Sequence, residues 1–136
     1  MVRRVTRFGI DAPTLLHLVA EDVVVSPEHQ LVAPQILRSQ AMSLLFDAVR
    51  RGELTEQEAL RRHELLTRMK VRLLADRVSR RVAWQIARER GLESTADAEY
   101  LAVTRLQAEM FVSIDPAARA RAEGVVPLGS VDQLSG

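Results

Sequence analysis

Along this 136-residue chain the spacing of apolar positions switches repeatedly between strand and helix periods, and each switch marks an element. Val5-Thr6-Arg7-Phe8-Gly9-Ile10 favours a strand, and apolar residues at helical spacing follow from about Pro13 to Glu21. Gln30-Leu31-Val32-Ala33 predicts a second short strand, then a helix from about Pro34 to Arg51 that stops at Gly52. Thr55 with Gln57 and Glu58 starts a helix to about Met69, with Glu58 completing a capping box. Asp76 reads as the N-cap of a helix to Arg90 with Gly91 after it, and Ser94 or Thr95 begins another to about Gln107. A Met110–Ile114 strand, a short Pro116–Ala122 helix and a Val125–Leu128 strand close the order. Strands separated by helices predict an α/β fold: a three-layer α/β/α domain over residues 1–136 with a short central parallel sheet.

Two of these strands end alike, in Ile10-Asp11-Ala12-Pro13 and in Ile114-Asp115-Pro116. Each aspartate suits a helix N-cap, with proline fitted to the first helical turn. Each also sits at the carboxyl end of a strand, the edge where parallel sheets bind ligands. A third acid, Asp97, falls in the first turn of a helix that is apolar on most sides (Ala98, Tyr100, Leu101, Ala102, Val103, Leu106). A carboxylate there needs a hydrogen bond or a cation. Gln40 lies on the stripe formed by Leu37, Ala41, Leu44, Leu45 and Ala48, so its amide needs a partner or an open cleft. Hard oxygen donors without sulfur or a nearby histidine pair suit magnesium or manganese. Ser113, just before the second junction, is placed to bond either these carboxylates and phosphate or its own backbone.

Composition narrows the class. Apolar residues make up 47% and charged residues 27%, typical of a soluble globular chain, and no apolar run approaches the roughly 18 residues of a membrane span. The absence of cysteine excludes disulfides and thiolate metal sites. Met1-Val2-Arg3-Arg4 lacks the apolar core of a secretory signal, so the cytoplasm is the expected compartment. Net charge is only +1, yet residues 61–90 hold ten basic residues against three acidic ones. Arg68, Lys70, Arg72, Arg77, Arg80 and Arg81 are therefore candidate contacts to nucleic-acid phosphate, with a solvated helical surface as the plainer alternative. His17, His29 and His63 lack ligand spacing. Trp84 suits an anchor in the core or at a subunit contact.

Taken together, Ile10-Asp11-Ala12, Ala33-Pro34 through Gln40, Ala96-Asp97-Ala98-Glu99-Tyr100-Leu101-Ala102 and Val112-Ser113-Ile114-Asp115 resemble the PIN-domain ribonucleases, in particular the VapC toxins of bacterial toxin–antitoxin pairs. The resemblance spans almost the whole chain. In that family four acidic residues at the carboxyl edge of a parallel sheet bind magnesium or manganese, which activates water to cleave RNA. Carried over by position, Asp11, Asp97 and Asp115 match three of the four. Gln40 stands where the pattern has a glutamate; it keeps one carbonyl oxygen but not the charge. The segment from Asp22 to Gln30 is also shorter than the family's usual connection. The resemblance further implies a homodimer and inhibition by a small antitoxin protein.

The expected function is thus a Mg2+- or Mn2+-dependent endoribonuclease, with Asp11, Asp97, Asp115 and Gln40 as catalytic positions and the three aspartates as metal ligands. The alternative is a PIN-like module that binds RNA or a protein partner with catalysis impaired at Gln40. A phosphoacceptor receiver domain needs a lysine at the end of a later strand, whereas Lys70, the sole lysine, falls near the end of a helix.

Overall fold

Thr6–Ile10 (β1), His29–Pro34 (β2), Val71–Leu74 (β3), Met110–Val112 (β4) and Leu128–Gly129 (β5) form one all-parallel sheet in a computed structural model that describes residues 5–136. Met1–Arg4, read above for a signal, lies outside the described residues. The order is β3-β2-β1-β4-β5, so the chain builds outward from β1 in one direction and then returns to build in the other. The helices are α1 (Ala12–Ala20), α2 (Leu37–Arg50), α3 (Glu56–Arg68), α4 (Arg77–Arg90), α5 (Thr95–Gln107), α6 (Pro116–Ala122) and α7 (Asp132–Ser135). α1, α2 and α3 pack on one another, while α5 lies against β1, β2 and β4 with α4 beside it. Crossovers between parallel strands are right-handed almost without exception, and with this strand order that rule assigns the two groups to opposite faces of the sheet, as α/β/α layering requires.

Helices on both faces explain why the central strands are apolar without alternation. Phe8, Ile10, Leu31, Val32, Phe111 and Val112 are all buried, and Leu15, Leu18, Leu37, Leu66, Ile86 and Leu101 fill the space above and below them. Among the described residues no helix is long and apolar enough to cross a membrane.

Several expected boundaries shift. β3 was expected to be part of the connection between two helices. Its Val-Arg-Leu-Leu is a four-residue edge strand, partly exposed and bearing the charge that edge strands commonly carry. Pro34 ends β2, in register with Leu74, and the following helix begins at Leu37. The last strand is Leu128–Gly129, because Val125 and Val126 turn back onto Ala122. α7 was not anticipated; it buries Leu134. The capping box at Thr55 forms only in half. The threonine accepts from the Glu58 backbone N–H at 3.1 Å, but the Glu58 carboxylate accepts from Arg61 and Arg62 instead.

Gly9 fixes how closely α5 approaches the sheet. A Cβ at this position would stand 2.0 Å from Thr104 Oγ1, which itself donates to the Tyr100 carbonyl at 2.8 Å. Gly9→Ala therefore must lift α5, which carries Asp97, or distort β1. The expected cost is that of overpacking, about 1–3 kcal/mol, measured by chemical denaturation. Unchanged stability would mean that the α5–β1 packing tolerates a methyl group.

Candidate metal and phosphate site

The reversal of strand order falls between β1 and β4, and in open parallel sheets the crevice outside the carboxyl ends at such a point is where ligands bind. Ile10 pairs with Val112, so the residues that follow these strands, Asp11 on one side and Ser113 to Asp115 on the other, emerge at the same level.

Hydrogen bonds lock the two junctions together. Asp11 is 6% exposed and caps α1, its Oδ1 accepting from the Thr14 backbone N–H at 3.2 Å and from the Thr14 hydroxyl. Its Oδ2 accepts from Ser113 Oγ at 2.6 Å. Ser113 Oγ in turn accepts from the Asp115 N–H, and Thr14 Oγ1 from the Ile114 N–H, each at 3.1 Å. Asp115 caps α6 by accepting from Ala117 N–H at 3.1 Å. Both aspartates are therefore caps, and both still line the cleft. Ser113 likewise plays both roles open to it, holding a carboxylate and a backbone N–H.

Asp97 reaches the same cleft from α5, where Ser94 is the N-cap that accepts from Ala96 N–H. Its carboxylate is 3.6 Å from Arg121 Nη2. Gln40 reaches it from α2, and its Oε1 accepts from the Tyr100 hydroxyl at 2.5 Å. Burial raises the Tyr100 pKa above its ordinary value, and the charges of Asp11, Glu99 and Asp97 add to the shift. Tyr100 is thus a protonated donor across the usual pH range, and the buried-stripe amide has found its partner. The Gln40 oxygen is correspondingly engaged by Tyr100.

The cleft encloses about 140 Å3 between Asp11, Pro13, Gln40, Asp97, Tyr100, Phe111, Asp115 and Arg121. Its donors are hard oxygens, the right kind for magnesium or manganese. Among the described residues, however, no three acidic or histidine side chains gather closely enough to hold a bare ion. Magnesium commonly keeps several waters and takes only one or two carboxylates directly. The arrangement fits a partly hydrated ion of that sort.

The basic stretch is not gathered beside these acids. Arg68 ends α3 and pairs with Glu64 at 2.7 Å. Lys70 and Arg72 flank the start of β3 and share a surface depression with Arg7, His29 and Gln30 at the amino edge of the sheet. Arg77 begins α4 at the carboxyl end of β3, with exposed Arg80 and Arg81 farther along that helix. The unforeseen strand explains the split, since β3 carries the chain across the sheet between Lys70 and Arg77. Trp84 is 65% exposed, which removes the core-anchor reading. Arg121 and Thr14 were not singled out from sequence, and Tyr100 stood there only as a residue of the apolar helix and its motif, with no role assigned. Thr14 does carry a local signal, an hydroxyl in the first turn after the cap.

No protein-family model matches this chain, and no curated protein matches it significantly. Solved structures do. PAE2754 from Pyrobaculum aerophilum superposes with a TM-score of 0.71 at 24% identity, over 96% of this chain and 94% of that one. VapBC-1 from nontypeable Haemophilus influenzae gives a TM-score of 0.59 at 17% identity, over 92% of this chain and 98% of that one. At these identities the likeness is one of fold: a central all-parallel sheet of five strands flanked by helices.

Proposed function

We propose that this chain is a magnesium- or manganese-dependent endoribonuclease of the VapC toxin kind. The observation that carries the reading is the meeting of Asp11, Asp97 and Asp115 in one cleft at the strand-order reversal. A divalent ion, if held there, would supply a water of lowered pKa and offset charge on the scissile phosphate. Asp11, oriented by Thr14 and Ser113, and Asp115, oriented by the α6 N-terminus, would hold it together with Asp97, directly or through water. Gln40, its oxygen occupied by Tyr100, positions the α2 side of the cleft. The test is cleavage of single-stranded RNA by purified protein in manganese, with none in chelator.

A second reading is a PIN-like module that binds RNA or protein without cleaving. Its support is the neutral, already bonded Gln40 and the loose spacing of the acids. Retained RNA binding with no cleavage at millimolar manganese would favour it.

Two surfaces support protein partners. Between α2 and α3 an apolar groove leaves Met42, Phe46 and Leu60 more than half exposed, a feature of interaction sites and suited to a small antitoxin. Exposed Trp84 on α4 suits the contact of a homodimer. The reading places the protein in the cytoplasm with its RNA.

RNA contacts should follow the split of the basic residues. Removing the charges of Arg77, Arg80 and Arg81 is expected to reduce the logarithmic salt slope of single-stranded RNA binding by roughly 0.7 per lost phosphate contact. Removing Arg68, Lys70 and Arg72, at the other edge, should leave the slope unchanged. Equal effects from the two sets would place RNA elsewhere.

A further inference from the structure

Each acidic group in the cleft except one is held by neutral donors. Asp11 is bonded by two hydroxyls and a backbone N–H, and Asp115 by a backbone N–H. Asp97 instead faces a cation, the guanidinium of Arg121 at 3.6 Å. Arg121 is the one basic side chain among the residues that line the cleft. It stands on the helix capped by Asp115, and buried Ala118 and Ala122 seat that helix. The other arginine of the last turn, Arg119, has a different task, donating to the Ser113 and Gly129 carbonyls at 3.4 and 2.9 Å. Arg119 ties α6 to the sheet, and Arg121 puts a positive charge among three carboxylates.

We propose that Arg121 is the resident counter-cation of the cleft and competes with the divalent ion for Asp97, so that this residue limits how tightly the chain holds metal. The proposal rests on the metal-dependent reading above. An ion that takes Asp97 must displace the guanidinium or bear its repulsion, and either one weakens binding. The exchange is open to solvent, since the Arg121 and Asp97 side chains are 33% and 40% exposed. The guanidinium can therefore swing away when an ion arrives, at the cost of its pairing with Asp97, and wherever it stays near the cleft its charge still opposes the ion. As a positioning residue, Arg121 keeps Asp97 turned into the cleft until then.

The test is calorimetric titration of chelator-stripped protein with manganese, for wild type, Arg121→Gln and Arg121→Lys. Arg121→Gln is expected to bind manganese about tenfold more tightly, whereas Arg121→Lys, which keeps the charge, stays near wild type. In chelator Arg121→Gln should melt lower than wild type and gain more on adding metal. A purely structural Arg121 would lower the melting temperature without raising affinity. A second measurement uses the unmodified chain: the Arg121 side-chain NMR signal should move as magnesium saturates the cleft. Unchanged or weaker manganese binding in Arg121→Gln, or an unmoved signal at saturation, overturns the proposal while leaving the metal site standing. If neither wild type nor Arg121→Gln binds manganese at millimolar concentration, the metal-dependent reading falls and the proposal with it.

Discussion

Asp11→Asn is expected to lower manganese affinity tenfold to a hundredfold and to reduce RNA cleavage by at least about a hundredfold, while leaving the fold intact. The change is nearly isosteric. The remaining amide oxygen can keep the cap on Thr14 N–H, and the new amide N–H2 can donate to Ser113 Oγ, which has a lone pair beyond the one that accepts from Asp115 N–H. What disappears is charge. A carboxylate about 4 Å from a dication gains on the order of 8 kcal/mol of gross attraction at an effective dielectric of 20, most of it cancelled by desolvation. The expected net loss is therefore about 1.4–2.8 kcal/mol of binding. Calorimetric titration and melting curves in chelator separate the two effects. A variant that melts far below wild type but binds manganese equally well would make Asp11 a cap and nothing more.

Gln40→Glu adds to the cleft the charge that Asp11→Asn removes. A fourth carboxylate should raise manganese affinity at least about tenfold, some 1.4 kcal/mol. The structure supplies a donor for it, because the protonated Tyr100 hydroxyl that now meets the Gln40 oxygen would meet a carboxylate oxygen instead. That bond offsets part of the repulsion from Asp11, Asp97 and Asp115 in the metal-free state, but not all of it. A lower melting temperature in chelator and a larger rise on adding metal are expected. Cleavage appearing only in the variant would make the natural chain a binding module. Unchanged affinity would mean that Tyr100 turns position 40 away from the ion.

Where the sequence was legible, one signal governed one local choice. Asp76 and Gly91 bound α4 as expected, and Ile10-Asp11 marks the end of β1 and the start of capped α1; Asp115-Pro116 opens capped α6, but β4 ends at Val112, two residues before the expected Ile114. The parallel order followed from alternation alone. β3 was illegible because four residues with an arginine among them carry too little apolar pattern, and their pairing with β2 is a tertiary fact. That omission also misled the reading of the basic stretch, which looks continuous only until a strand passes through it. The Tyr100–Gln40 bond and the Arg121–Asp97 pair join residues far apart in sequence, so neither leaves a local trace. The three aspartates were legible as individuals, and the Asp11–Ser113 bridge that sets two of them side by side was not.

A divalent ion held among Asp11, Asp97 and Asp115 would be visible by diffraction from crystals soaked in manganese and recorded near the manganese absorption edge. One anomalous peak is expected in this cleft, about 2.0–2.6 Å from at least one of the three carboxylates and bridged by water to the others. A cleft without a peak at manganese concentrations that saturate the protein in solution, or a peak bound elsewhere while Arg121 remains on Asp97, would contradict that expectation.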